Sequence, residues 1–203
     1  MGLFRTNLTH LADERLMELV LRGDERAFAT LYDRYQRNLM AYFRRMLWQD
    51  GERARDFVQD LFTKIANNPE SFHAERPFKT WLYSVANNMC KNEYRRMAVR
   101  TAAVPELKAD GNHAVEATAG TAMDRQHFAA RLQQELDKLE PDHKAAFVMR
   151  HYEDMAIKEI AAVFGISEGT VKSRLFYTVR KLAASLPEFN PHPAPAVRTA
   201  GTR

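Results

Sequence analysis

The stretch Asp154–Leu182, DMAIKEIAAVFGISEGTVKSRLFYTVRKL, decides the fold class. Ile157, Ile160, Ala161 and Phe164 fall at i, i+3, i+4 and i+7, the buried stripe of a short first helix. Gly165 follows, a residue free to take the positive φ with which helices commonly end. Ser167 is then the expected N-cap of a second helix, because its hydroxyl can accept from the unpaired amides of the first turn. In that second helix Val171, Leu175, Val179 and Leu182 share one sector at 100° per residue. The opposite sector holds Gly169, Thr170, Ser173, Phe176, Tyr177 and Arg180, flanked by Lys172 and Arg174. No acidic residue occurs from Gly169 to Leu186, whereas an ordinary solvated helix mixes its charges. Two helices about a glycine can be a plain structural hairpin; the acid-free basic front instead points to a helix that enters the major groove.

Working outward, the chain has 203 residues, 45% of them hydrophobic and 28% charged, which predicts a packed protein of one or two domains. A net charge of +4 is a mild bias toward polyanionic partners. The one cysteine, Cys90, excludes an internal disulfide framework and fits a reducing cytoplasm. No run of eighteen apolar residues predicts a membrane span, and the first residues lack the apolar core of a signal peptide.

Helical periodicity dominates, and strand-like alternation is hardly visible. From Asp24, Phe28, Leu31, Tyr32, Tyr35, Leu39, Tyr42 and Phe43 form one face. GERARDFVQDLFTKIANN, from Gly51, gives a second helix with Phe57, Val58, Leu61, Phe62 and Ile65 on a stripe that Pro69 interrupts. PFKTWLYSVANNMCKNEYRRM, from Pro77, gives a third. Its periodicity buries Phe78, Trp81, Leu82, Val85 and Met89 and turns Tyr83, Asn87, Lys91, Tyr94 and Arg95 outward, with Cys90 on the polar side. From Thr101 to Met123 small and polar residues replace aromatics, the composition of a linker. The last residues carry four prolines and are expected to be disordered. The expected fold is all-α: a helical domain over residues 10–98, a flexible linker over 99–123, a helix-turn-helix domain over 124–186 and a tail over 187–203.

At these residues the chain resembles a known family. EIAAVFGISEGTVKSRL is similar to region 4 of bacterial sigma factors, in particular the extracytoplasmic-function (ECF) group. ARDFVQDLFTKI resembles the core-binding helix of region 2, and PFKTWLYSVANNMCKNEYRR its promoter-melting segment. The matches occur in the family's order, across a variable linker. The resemblance implies a dissociable, non-catalytic subunit of RNA polymerase that needs no cofactor. Its N-terminal domain would dock on the β′ coiled coil and open the −10 element. Its C-terminal domain would bind the β flap and read the −35 element. An anti-sigma factor would restrain it.

Carried onto this sequence, the core-docking motif falls on Asp56, Gln59, Asp60 and Phe62. The candidate −10 residues are Arg76, Lys79, Asn88, Lys91, Asn92 and Arg95, with the loop SFHAERP for a flipped base. Periodicity favours Asn87 with Lys91 on the outer face, the family motif Asn88 with Asn92, and both remain open at this point. The candidate −35 residues are Ser167, Thr170, Lys172, Ser173, Arg174, Phe176 and Tyr177. Phe176 and Tyr177 stand where many members carry His-Arg or Phe-Arg, so the second-position arginine is missing. Phe176 can instead meet a thymine methyl, and Tyr177 can donate to a phosphate. The core-binding helix also lacks a frequent tryptophan where Ile65-Ala66-Asn67 stands.

Other function classes find less support. His73, His127, His143 and His151 lack metal-ligand spacing. No phosphate loop, dinucleotide fingerprint or nucleophile elbow occurs, which removes the basis for an enzyme with a DNA-binding appendage. An operator-binding regulator would leave the N-terminal motifs unexplained, and such regulators usually dimerise.

Overall fold

The computed structural model describes residues 8–103 and 121–189, and every regular element among them is helical. Eight α-helices follow in order: α1 (Asp13–Leu21), α2 (Glu25–Met46), α3 (Gly51–Asn67), α4 (Phe78–Ala103), α5 (Thr121–Asp137), α6 (Pro141–His151), α7 (Ile157–Phe164) and α8 (Glu168–Ser185). Short 3-10 turns cover Leu8–His10, Pro69–Ser71 and Pro187–Phe189.

Local chemistry sets the boundaries of the first helices. Asp24 caps α2, its carboxylate accepting from the amides of Arg26 at 2.9 Å and Ala27 at 3.1 Å. Asp50 caps α3 through the Arg53 amide at 2.9 Å. With its ends fixed, α2 buries Ala27, Leu31, Tyr35, Leu39, Tyr42, Phe43 and Met46. It packs these against the stripe Ala54, Val58, Leu61, Phe62 and Ile65 of α3. The sequence reading did not anticipate α1. That helix is fastened from outside: Arg34 of α2 pairs with Asp13 and donates to the Thr9 carbonyl at 3.0 Å. In return Glu14 of α1 accepts from the Phe78 amide at 2.8 Å, satisfying an orphan donor at the start of α4.

Helix α4 departs from the single buried stripe that periodicity predicts. Tyr83, Asn87 and Cys90, expected to face outward, are all buried. The reason is that α4 is covered on two sides, by α2 and α3 on one and by α6 and α7 on the other. The helix also runs through Ala103, and α5 begins at Thr121, so both ends of the expected linker are helical. The rest of that linker, and the tail beyond Phe189, lie outside the described residues. The first residues of the expected tail are ordered instead: Pro187–Phe189 form a 3-10 turn, and Phe189 packs edge-on against Phe128 with 5.0 Å between ring centroids.

In the C-terminal half, α6 is buried at every position from Lys144 to Met149. Gly165 ends α7 in the left-handed conformation at φ 66°, and Ser167 caps α8 by accepting from the Thr170 amide at 3.1 Å. One position of the expected stripe differs. Thr178 is buried and Val179 is 45% exposed, because 171, 175, 178 and 182 follow the 3.6-residue repeat more closely.

The two halves share one hydrophobic core, which runs from Leu8 to Leu175; a smaller cluster joins Leu132, Leu136, Leu139, Phe147, Leu182 and Leu186. The seam between the halves is polar as well as apolar. Lys79 Nζ donates to the Glu153 carbonyl at 2.8 Å, and the Tyr83 hydroxyl donates to the Glu153 carboxylate. Lys144 Nζ reaches the Met46 carbonyl at 3.1 Å, and Gln133 donates to the Arg45 carbonyl at 3.0 Å. The Arg45 guanidinium lies 3.9 Å from the centre of the Tyr152 ring.

Candidate nucleic-acid interface

The turn at Gly165 and the Ser167 cap present α8 with its N-terminal half outward. Ser167, Thr170, Lys172 and Ser173 are exposed there, with the Ser167 and Thr170 hydroxyls 2.9 Å apart. Phe176 and Tyr177 are 61% and 62% exposed, a large apolar area for a surface helix to leave in water. Arg174 is placed differently from the rest of this set. Its side chain is 17% exposed, with the guanidinium 5.1 Å from the Phe164 ring centre and Nη1 3.5 Å from Asp142. It is held against the domain rather than projected from it. Beside this face, Phe176 and Val179 line a groove of about 580 Å³ with Arg150, His151 and Arg180. Burial and the Arg150 charge lower the pKa of His151, which favours its neutral form in the groove.

On α4, Asn88, Asn92 and Arg95 are exposed. Arg95 donates to the Asn92 side-chain oxygen at 3.0 Å, which orients that amide. Asn87, at 3% exposure, belongs to the interior, so Asn88 and Asn92 are the pair that solvent reaches. Arg76 is exposed in the turn before the helix, while Lys79 and Lys91 stand on the flank toward the C-terminal half. Lys91 Nζ lies 2.9 Å from Asp142. Of the six −10 candidates, Lys79 and Lys91 are thus engaged by the C-terminal half, and Arg76, Asn88, Asn92 and Arg95 are exposed. Cys90 is buried, and burial pushes its thiol well above the ordinary range, so it is a poor nucleophile in this state.

On α3, Asp56, Gln59 and Asp60 are exposed one turn apart. Phe62 is 3% exposed and edge-packed on Tyr32 at 4.7 Å and Phe28 at 6.0 Å, so it supports this surface from beneath. Beside it, α2 and α3 bound a groove of about 660 Å³, lined by Phe28, Tyr32, Met40 and Phe62 and flanked by Arg37 and Arg55. The sequence reading missed this groove. Its signal was Tyr32 and Met40 on the edge of the α2 stripe, two turns apart. Among the described residues no three His, Cys, Asp or Glu side chains gather as a metal site. No helix among them is long and apolar enough to cross a membrane.

Comparison with known proteins agrees with this division into two halves. Residues 31–100 match the family described as Sigma-70 region 2, and residues 129–182 that described as Sigma-70, region 4. The RNA polymerase sigma-H factor of Pseudomonas aeruginosa is 33% identical over 177 residues, covering 83% of this chain and 91% of the relative. The ECF RNA polymerase sigma-E factor of Haemophilus influenzae is 31% identical over 173 residues, covering 82% and 90%. Among solved structures, CnrH in complex with the cytosolic domain of CnrY superposes with a TM-score of 0.67 at 25% identity, covering 89% of this chain and 100% of that one. The sigma factor RpoE of Bartonella quintana, in complex with the anti-sigma factor NepR, gives 0.64 at 19%, covering 80% and 98%. The chain belongs to the sigma-70 family, within its extracytoplasmic-function group, and is an alternative sigma factor that directs promoter-specific transcription initiation.

Proposed function

We propose that this sigma factor grips its promoter at two points and performs no bond chemistry of its own. The −35 duplex is read by α8: Lys172 meets phosphate, Ser167, Thr170 and Ser173 meet the backbone near the helix N-terminus, and Phe176 and Tyr177 meet base edges. The −10 strand is held by α4 and the turn before it, where Asn88 and Asn92 hydrogen-bond unpaired bases and Arg76, Lys79, Lys91 and Arg95 hold phosphates. Asp56, Gln59 and Asp60, over the support of Phe62, form the docking face for the polymerase β′ coiled coil, and the C-terminal domain meets the β flap. The factor works in the cytoplasm, and an anti-sigma protein is its expected antagonist, as in the RpoE–NepR complex.

The observation that carries this reading is the exposure, on two separate helices, of polar and aromatic side chains suited to bases. Run-off transcription with purified core polymerase tests it. Addition of the protein should give initiation from a cognate promoter, and loss of Asn88 and Asn92 together should abolish strand opening while sparing core association. Loss of core association with that pair, or initiation undiminished without it, would overturn the assignment of α4.

A further inference from the structure

Helix α4 carries one acidic residue, Glu93, and that side chain is turned inward, 3% exposed and paired with Arg53 of α3. The outer face of the helix is therefore free of acid, and it does not end with the −10 candidates. At 100° per residue Asn88, Asn92, Arg95 and Val99 fall within one sector, with Arg96 and Arg100 along one flank of it. Val99 is 70% exposed, more than any other large apolar side chain among the described residues. Arg96, Ala98, Arg100 and Thr101 are exposed as well, so the last turns project from the domain with only Met97 half-buried. Most helices owe their stability to a packed apolar face, and this end has none. Cations favour a helix C-terminus, which accounts for Arg100. That field fades within the last turn, so it does not reach Arg96, nor does it explain an exposed valine. A basic, acid-free face with an exposed apolar centre is also what α8 presents, where Phe176 and Tyr177 are 61% and 62% exposed.

We propose that Arg96, Val99 and Arg100 form a further DNA-binding subsite, which takes the duplex adjoining the opened −10 strand on its upstream side. The two arginines, one turn or about 6 Å apart along the axis, hold phosphates, and Val99 meets a thymine methyl in the major groove. This rests on the reading of Asn88 and Asn92 as −10 contacts. From Asn92 to Val99 the helix rises about 10 Å, the length of roughly three base pairs, so the subsite lies just beyond the melted bases. Duplex rather than single strand is the ligand, because unpaired bases are gripped by aromatic platforms and α4 carries no aromatic ring beyond Tyr94. The upstream side follows from chain order, since this end of α4 leads toward the −35 reader.

Binding of the polymerase holoenzyme to two labelled probes tests this, both taken from a promoter that supports run-off transcription. One is the −10 strand alone, and the other is the same strand continued into upstream duplex. Arg96→Gln with Arg100→Gln should lower the salt slope on the duplex-bearing probe by about 1.8 and leave the slope on the strand unchanged. Arg96→Lys with Arg100→Lys should restore it, because the charge is kept while the pairing of Arg96 with Glu93 at 3.7 Å can persist. Probes carrying thymine or uracil at each paired position near the junction differ by one methyl. At one position the wild type should bind the uracil probe about fourfold more weakly, and Val99→Ala should bind the two alike. A slope unchanged on both probes, or lowered equally on both, would sink the subsite. Lost association with core polymerase would sink it too, by assigning the arginines to a protein surface. Indifference of the wild type to every methyl refutes the Val99 contact. Loss of Asn88 and Asn92 together separates the underlying reading, since it should weaken both probes. If it weakens neither while the arginine pair still lowers the slope, α4 binds duplex but does not hold the −10 strand, and the placement beside that strand fails.

Discussion

Lys172 and Arg174 stand two positions apart on one helix, and sequence alone treats them as equals. Lys172 is exposed, whereas Arg174 is stacked on Phe164 and paired with Asp142. An exposed cation that meets phosphate releases a counterion, so Lys172→Ala should lower the salt slope of −35 duplex binding by about 0.9. Arg174→Ala should lower it by less than half as much, because Asp142 already offsets its charge, and should instead reduce the melting temperature through lost packing. Titration of both variants against salt checks this, and equal slopes would place Arg174 on the DNA after all. The same scale shows where one-dimensional reading fails. Asn87 and Asn88 are adjacent amides in NNMCKN, and a helical wheel with one buried stripe turns Asn87 outward. Only the presence of α6 and α7 over that side makes Asn88 the exposed one. No signal within α4 itself announces a cover supplied by residues some sixty positions later.

At the scale of elements, the helix-turn-helix was legible because its determinants are local. The Ile157–Phe164 stripe, the φ of Gly165 and the Ser167 cap each lie within a few residues of the feature they fix. Helix α1 was less legible, since DERLMELVL is short and its fastening by Arg34 is long-range. The corner after α6 is long-range too, and it carries a titration. Glu153 is buried, and burial raises its pKa; the Tyr83 hydroxyl, Arg45 and Lys79 oppose the shift, and Asp154 adds to it. A carboxyl whose folded pKa is raised binds a proton more tightly in the folded state. Its ionisation therefore costs stability as pH rises through the window above the ordinary carboxylate range, and that cost disappears as pH falls below it. Glu153→Gln, neutral at every pH and still able to accept from Tyr83, should be the more stable protein near pH 8. Its advantage should shrink to nothing near pH 4, as melting curves of the two proteins across that range would show. A constant offset would mean that the carboxyl does not titrate in the seam.

Over the whole molecule, the two-domain division follows from composition, but the closure of one domain on the other does not. Seam positions such as Lys79, Glu153 and Lys144 carry charge, and charge in a sequence reads as solvent-facing. A seam of this kind must be separable if α4 and α8 are to reach promoter elements on either side of a linker, and buried polar groups make it so. Lys144 illustrates the point: it is 2% exposed, burial lowers its pKa, and the charge and hydrogen bond of Asp137 at 2.7 Å only partly offset the desolvation. Replacing a buried ion pair by uncharged groups of similar size is often neutral or stabilising, by about 1–4 kcal/mol. Lys144→Met with Asp137→Asn, which keeps an acceptor for Gln133, should therefore raise the melting temperature by several degrees. It should also reduce run-off transcription, since the closed form is favoured over the form that engages polymerase. The joint outcome is what identifies the seam as functional. A more stable protein with undiminished transcription would show that closure is not in competition with initiation. A less stable one would show that Lys144 holds the halves together rather than keeping them ready to part.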